Sequence, residues 1–395
     1  MFLEILLAIL LGVLAGCFTG LIPGLHVNLI AVLVFSSIGL FSSFSLLSVI
    51  LFILALSLTH SFLDSIPSIY LGAPNPAHVL SVLPGHQLLH EGKGRLAVLY
   101  TLYGSGVGLL LTLALFPLAI KYLDQLYTFL QPFIGYLLFL IIFFLFIYSG
   151  DYFKNFIFFA VSGLLGLAVF ALYRQEQVLL PLLSGLFGTS TLLVSLSTVT
   201  SLPKQDADVS LETDDDLSLF SRATLSGVLA GFLPGFGSSQ AAILALSTLK
   251  NPKPHHYLII TGALNTINFV FSIITFTLLS RARNGAIVVV SSLAPFHLSD
   301  VWLLSFALLF IGGIALLLGC YLSKSLLSVL VKVPYKTLVY SILFFLIIMV
   351  AVLSSFQGML ILLVATGLGL LAQHYGAQRN MLLGCLLLPV LLYFL

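Results

Sequence analysis

The chain has 395 residues and is too apolar to present a water-facing surface. Sixty per cent of its residues are hydrophobic, only 7% are charged, and the mean hydropathy is +1.19. A soluble domain carries about a quarter charged residues. The composition therefore indicates a multi-pass protein of the cell membrane, and it excludes a nucleic-acid binder, a secreted disulfide scaffold and a disordered chain. A net charge of +2 does not suggest a polyanionic partner, and the three cysteines are too scattered for a disulfide framework.

Apolar runs of the length that a membrane helix needs follow one another along the chain. No run shows the alternation of a membrane barrel, so the sequence predicts an all-α polytopic fold. We expect about ten membrane crossings together with re-entrant segments. The predicted spans are residues 2–22, 27–41, 45–63, 96–120, 132–150, 156–173, 178–199, 223–248, 257–280, 301–323, 337–356, 358–373 and 381–395.

A hydrophilic segment near the middle of the chain separates two apolar halves of similar length. Residues 203–222 hold six of the 13 acidic residues. Such a charged run is typical of a solvated linker. The sequence therefore predicts a first transmembrane repeat over residues 1–200, an acidic linker over 201–222 and a second transmembrane repeat over 223–395.

The same pattern of glycine and proline opens both halves. GCFTGLIPG begins at Gly16 and GVLAGFLPG begins at Gly227, an offset of 211 residues. Glycines at this spacing can simply let two membrane helices pack closely. However, two half-proteins that each open with an interrupted helix are typical of secondary transporters, in which the halves have inverted topologies. We therefore predict two inverted-topology repeats with broken or re-entrant helices.

The Pro-Gly pair in each motif is predicted to break its helix, because proline lacks an N–H donor and glycine permits positive φ. Unpaired backbone groups at membrane depth need protein or a water-filled cavity around them. A helix that restarts there presents N–H groups suited to an anion, whereas its freed carbonyls would suit Na⁺. Asn28 and Ser239 could instead serve as helix caps. The predicted substrate-binding residues are Gly24, His26, Asn28, Asn75, Gly235, Gly237, Ser238, Ser239, Asn265 and Asn268.

Two ionisable residues in the first half are candidates for ion coupling. His60 and Asp64 are four residues apart, so they share one face if their segment is helical. Ionisable side chains at membrane depth commonly mark an ion or proton path. The alternative is that the span ends near His60 and both groups lie at the membrane interface. No metal site is predicted.

These motifs resemble those of the TctA family, the large membrane subunit of tripartite tricarboxylate transporters, over nearly the whole chain. The paired glycine-proline motifs are similar to the family's signatures, and LLPLLSGLFGTSTLL and GLGLLAQHYGAQRNMLLGCLLLP resemble two further conserved stretches. YLGAPNPAHVLSVLPGHQLLHEGKG resembles the P-G-x-P…D-G…K-G segment, although Pro74-Asn75-Pro76 is one residue shorter and Pro84 replaces the usual Asp. The resemblance implies uptake of citrate-like carboxylates driven by an ion gradient. It also implies two companions, a small membrane subunit and an extracytoplasmic binding protein.

The sequence therefore predicts a secondary active transporter, not an enzyme. Its expected substrate is a small organic anion, a carboxylate held between the two broken helix tips and coupled to Na⁺ or H⁺. Membrane lipid is the expected environment, no cofactor is expected apart from Na⁺ as a coupling ion, and a homodimer remains open. The alternative is a translocase of a lipid-linked phosphate, which a lateral opening to lipid would favour. An intramembrane enzyme using His60 and Asp64 is disfavoured, because no nucleophile stands beside them.

Overall fold

In the computed structural model, the described part of the chain is built from helices and the segments that join them, without a strand. That part comprises residues 2–22, 27, 30–31, 34, 44–71, 82–147, 151–173, 175–198, 203–206, 209–211, 216–232, 237–280, 284–294, 300–330 and 334–395. The helices of the first half are α1 (Phe2–Leu21), α2 (Leu46–Leu63), α3 (Ser65–Tyr70), α4 (Val82–His90), α5 (Gly94–Ala114), α6 (Phe116–Leu130), α7 (Ile134–Ile147), α8 (Tyr152–Leu172), α9 (Gln175–Leu183) and α10 (Ser190–Thr198). Those of the second half are α11 (Asp216–Phe232), α12 (Ser238–Ser247), α13 (Pro254–Leu279), α14 (Gly285–Leu293), α15 (Asp300–Leu330), α16 (Tyr335–His374) and α17 (Gly384–Phe394).

Helices long and apolar enough to cross a membrane confirm the all-α, multi-pass prediction. In the described residues there are eight of them, and the helical segments Val178–Val194 and Met381–Phe394 are shorter and also apolar. The predicted spans 337–356 and 358–373 lie within the single helix α16. Its backbone is interrupted at Ser355, which has a φ of 58° and a ψ of −165°. The eight long segments are Phe2–Leu21, Leu46–Tyr70, Gly94–Ala114, Phe116–Phe143, Tyr152–Leu172, Pro254–Leu279, Asp300–Val329 and Val339–His374.

The segment predicted as a solvated linker is partly helical and partly docked on the protein. Helix α11 begins at Asp216, inside the segment predicted as linker. Upstream, the Gln205 side chain accepts a hydrogen bond from the N–H of Gly94 (3.0 Å) and donates one to the carbonyl of Leu89 (2.8 Å). Gln205 therefore satisfies one backbone group at the end of α4 and one at the start of α5.

Two helical segments form the centre of the fold. In the most apolar 18-residue stretch of Leu46–Tyr70, 83% of the residues are buried, and in that of Pro254–Leu279 94% are buried. The corresponding fraction is 28–56% in the other six long segments. Helices α1 and α15 pack against α2, while α11 and α5 pack against α13. Each central helix is thus covered by the first helix of its own half and by a helix of the other half.

The glycine motifs make equivalent contacts in the two halves. A Cβ atom at Gly16 would lie 2.6 Å from the carbonyl oxygen of Leu56, and one at Gly227 would lie 2.6 Å from the side chain of Ile267. Leu56 and Ile267 differ by the same 211 residues as the two glycines. The motif therefore serves close packing of α1 on α2 and of α11 on α13.

A second set of glycine contacts is also duplicated, with the roles of the halves exchanged. Gly166 of α8 abuts the backbone of Cys385 in α17, and Gly369 of α16 abuts the backbone of Leu186 just before α10. Gly384 likewise abuts the backbone of Phe159, and Gly185 that of Leu362. Each α8 residue and its α16 counterpart are 203 positions apart (166 to 369, 159 to 362). The residues that they contact, before α10 and at the start of α17, are 199 positions apart (186 to 385, 185 to 384).

Candidate substrate and ion-coupling site

Four polar side chains from three helices meet inside the protein. Thr19 belongs to α1, His60 to α2, Asp64 to the junction of α2 with α3, and Asn265 to α13. We refer to these four residues as the polar centre. Thr19, His60 and Asp64 are all buried, and Asn265 is half-buried. Buried ionisable groups are costly in a membrane protein, which makes these residues candidates for a functional site.

Helical geometry places His60 and Asp64 on one face, as the spacing predicts. The N–H of Asp64 donates to the carbonyl of His60 (2.9 Å), and the helical path resumes at Ser65 and continues to Tyr70. The helical segment therefore continues past His60 to Tyr70. Nε2 of the imidazole lies 3.9 Å from Oδ2 of the carboxylate, which is within ion-pair range and longer than a direct hydrogen bond.

Close packing of α1 on α2 brings Thr19 to His60. Thr19 stands between the motif glycines Gly16 and Gly20, on the helix face that packs against α2. Its Oγ1 is 3.0 Å from Nδ1 of His60 and 3.2 Å from the carbonyl oxygen of Gly16. The small residues thus allow an interhelical hydrogen bond to the imidazole.

Asn265 connects the second half of the chain to this pair. Its Nδ2 donates to the carbonyl of Ser61 (2.9 Å) and lies 3.4 Å from each carboxylate oxygen of Asp64. Helix α13 also contacts α5 tightly, since Gly262 abuts the backbone of Thr101 and its carbonyl accepts a hydrogen bond from Ser105 Oγ (3.1 Å).

The predicted site residues fall into three groups in the structure. Asn265 joins His60 and Asp64, although the sequence assigned it to substrate and the other two to ion coupling. Asn268 lies about one turn further along α13 and is half-buried. The third group begins α12, where the Gly237 carbonyl accepts from the N–H of Ala241 (3.1 Å) and both following serines, Ser238 and Ser239, are buried.

The helix restart predicted after the second Pro-Gly pair is therefore present, and it begins at Ser238. Helix α12 packs against α13, the helix that carries Asn265. Five of the predicted substrate-binding residues lie outside the described residues, namely Gly24, His26, Asn28, Asn75 and Gly235.

Sequence reasoning missed Thr19 and the hydroxyl of Thr101, which contacts the residue that follows Asp64. Thr101 Oγ1 of α5 is 3.0 Å from Ser65 Oγ, and both side chains are buried. Thr19 could have been found from its place between two glycines on the packed face of its helix. Thr101 could not, because its approach depends on how α5 crosses the centre of the fold.

Two further pairs of polar rings lie outside the polar centre, one within α4 and one between α5 and α13. His86 and His90 stack at a centroid distance of 5.7 Å, and His255 stacks on Tyr100 at 5.3 Å. Burial lowers the pKa of His90, which favours its neutral form. Within the described residues, no cluster of three histidine, cysteine or acidic side chains has the arrangement of a metal site.

The chain is an all-helical multi-pass membrane protein with buried ionisable groups where helices of both halves meet, an arrangement found in membrane transport proteins. The family comparison agrees with this class. The model of the tripartite tricarboxylate transporter TctA family matches residues 6–384, and the chain belongs to this family. It is therefore a component of a tricarboxylate transport system in the membrane.

The chain is 29% identical over 365 residues to the uncharacterized protein MJ1079 of Methanocaldococcus jannaschii. The match covers 89% of this chain and 90% of that protein. No solved structure matches the chain.

Proposed function

We propose that the protein is a secondary active transporter of a small organic anion, with a citrate-like carboxylate as its substrate class. Transport is coupled to an ion gradient through His60 and Asp64. The observation that carries this proposal is the polar centre, in which the buried His60 and Asp64 side chains lie beside Asn265 of α13 in a chain of the TctA family. The contacts of Asn265 with Ser61 and Asp64 support a role for both halves in this coupling.

We further propose that the halves are inverted repeats related by a pseudo-two-fold axis in the membrane plane. The duplicated glycine contacts support the two-fold relation, because each contact has a counterpart in which the residues of the two halves are exchanged. The inverted orientation is the one typical of secondary transporters. In such transporters the substrate binds near the midplane, between interrupted helices. We place the carboxylate there, close to the start of α12 at Ser238 and Ser239 and to the corresponding tip of the first half.

The companions implied by the family form part of the same proposal. A small membrane subunit and an extracytoplasmic binding protein would complete the tripartite system, and the binding protein would deliver the carboxylate to the membrane component. This arrangement needs no cofactor in the chain itself. Na⁺ or H⁺ supplies the driving force.

Uptake into proteoliposomes tests the proposed function. The purified chain, alone and with its companion subunits, is given radiolabelled mono-, di- and tricarboxylates while Na⁺ and pH gradients are imposed separately. We expect saturable accumulation of one carboxylate class under one of the two gradients. A fluorescent polyprenyl phosphate in the same vesicles tests the alternative. Transbilayer movement of that lipid without carboxylate uptake would contradict the proposal.

A further inference from the structure

We propose that the coupling ion is a proton, and that His60 and Asp64 bind it jointly as a single proton-carrying site. This inference rests on the proposed transport function and specifies its driving ion. It follows from the positions of hydrogen-bond donors and acceptors around the two side chains.

The first step concerns the tautomer of His60. Thr19 has one hydroxyl proton, and its Oγ1 lies in hydrogen-bonding position to the Gly16 carbonyl (3.2 Å) as well as to the imidazole Nδ1 (3.0 Å). When the hydroxyl donates to the carbonyl, it can only accept from the imidazole. Nδ1 then carries a hydrogen, and Nε2 of the neutral ring is an acceptor.

The second step concerns the space between the two side chains. Nε2 of His60 lies 3.9 Å from Oδ2 of Asp64. In the neutral tautomer assigned above, both atoms are acceptors, so they repel unless one of them is protonated. A single proton, on either the imidazole or the carboxyl group, turns this repulsion into a charge-assisted or neutral attraction. The geometry therefore favours the binding of one proton by the pair.

Asn265 supplies the argument against Na⁺ as the ion bound by this carboxylate. Its Nδ2 donates to the Ser61 carbonyl and lies beside the Asp64 carboxylate, and because both are acceptors the amide nitrogen points toward them. Two sides of the carboxylate thus face nitrogen groups, an amide and an imidazole. Hard cations take oxygen ligands, and the amide hydrogens would repel a cation at this position.

His60 and Asp64 are buried, and within the polar centre they are the two ionisable residues. Other titratable groups lie on the helices packed around α2. The charges of these surrounding groups contribute to the expected pH dependence of the pair. The titratable residues of the surrounding helices are Glu4 and Cys17 on α1, Tyr70 on α3, Arg95, Tyr100 and Tyr103 on α5, His255, His256 and Tyr257 on α13, and Asp300, Cys320, Tyr321 and Lys324 on α15; α14, which also packs against α2, has none.

Proton binding can be linked to transport because the site is divided between the halves. His60 and Asp64 belong to the first half and Asn265 to the second. A relative movement of the halves changes the distance between the amide donor and the carboxylate. It thereby changes the affinity of the pair for its proton, which is the differential interaction that coupling requires.

Nitrogen-15 NMR of histidine-labelled protein in nanodiscs tests the site without any transport measurement. The His60 signals are assigned by their loss in His60→Gln, and His374→Gln, a change at an exposed histidine of α16, serves as the matched control. We expect His60 to carry a hydrogen on Nδ1 at neutral pH and to acquire the second hydrogen on acidification. A neutral ring that carries its hydrogen on Nε2 throughout would overturn the assignment.

Transport in sodium-free buffers tests the identity of the ion. We expect an imposed pH gradient alone to drive accumulation, up to about tenfold per pH unit for each coupled proton. In Asp64→Asn and His60→Gln, gradient-driven accumulation should fall far more than the exchange of labelled for unlabelled substrate does. Accumulation that requires Na⁺ and ignores the pH gradient would overturn the proposal. If no carboxylate is carried at all, the proposed function fails, and the NMR result alone decides whether the pair binds a proton.

Discussion

Replacement of Gly16 by alanine is a sharp test of the packing that forms the polar centre. The added Cβ would lie 2.6 Å from the carbonyl oxygen of Leu56, 2.7 Å from the Cβ of Thr59 and 3.2 Å from the N–H nitrogen of His60. These atoms belong to α2 and are backbone or rigid side-chain atoms. They cannot move aside without a shift of the helix, so α1 and α2 must separate.

The size of that separation follows from the distances. An approach of 3.0 Å is the shortest that a Cβ tolerates, so the helices must move apart by at least ~0.4 Å, and by ~0.8 Å to reach ordinary contact. The 3.0 Å bond between Thr19 and His60 would lengthen to roughly 3.4–3.8 Å, beyond the hydrogen-bonding range. Overpacking of this kind costs about 1–3 kcal/mol, and the better helix propensity of alanine offsets about 1 kcal/mol.

The matched control is Gly313→Ala in α15. Gly313 is also helical, and a Cβ there would meet no atom within 4 Å. The control should therefore gain stability from helix propensity alone. We expect the two variants to differ by about 1–3 kcal/mol in unfolding free energy, measured by denaturant unfolding in the same detergent. Proton-driven uptake should fall in Gly16→Ala only. Equal stability and uptake in both variants would refute the account of how α1 positions Thr19.

Three further predictions concern regions outside the polar centre. Gln205→Ala removes the two hydrogen bonds that dock the linker on the α4–α5 turn, so limited proteolysis should cut the linker faster and the unfolding free energy should fall by about 1–3 kcal/mol. An unchanged rate of digestion would contradict this. Tyr70→Phe removes the 2.9 Å hydrogen bond from the phenol to the carbonyl of Ser323 and should lower the free energy of denaturant unfolding by about 0.5–1.5 kcal/mol. An unchanged unfolding free energy would contradict a role for that bond. The hydrogen bond from Lys154 lowers the pKa of Asp151, so the stabilising contribution of this carboxylate is complete above the ordinary aspartate pKa and is lost as pH falls through the lowered value. Asp151→Asn keeps an N-cap and should reduce the fall of unfolding free energy at acid pH. An unchanged fall would contradict the shift.

The sequence predicted the architecture well, because lipid imposes strong rules on composition and length. Apolar runs located the long helices, and the glycine spacing indicated the contacts of Gly16 and Gly227. The local contacts of the linker were not predictable. Helix α11 begins at Asp216, within the predicted linker, and Gln205 gives no sequence pattern that would reveal its hydrogen bonds to Leu89 and Gly94.

The candidate site was only partly predictable, for a geometric reason. His60 and Asp64 are linked by local helical spacing, which sequence reveals directly. Asn265 is 201 residues from Asp64, and Thr101 meets Ser65 only because α5 crosses the fold centre. Such contacts depend on how helices pack in three dimensions. The glycines that permit close approach indicate that helices touch but do not identify the partner helix.

Proton-driven uptake by wild type and Asp64→Asn tests the central claim most directly. Both are reconstituted with equal amounts of folded protein, and Asp124→Asn, the same change at an exposed residue of α6, is measured alongside. Labelled carboxylate is followed in sodium-free vesicles under an inward proton gradient. The account predicts accumulation by wild type and Asp124→Asn, and its loss in Asp64→Asn. Equal accumulation in all three proteins would show that the polar centre does not couple transport to protons.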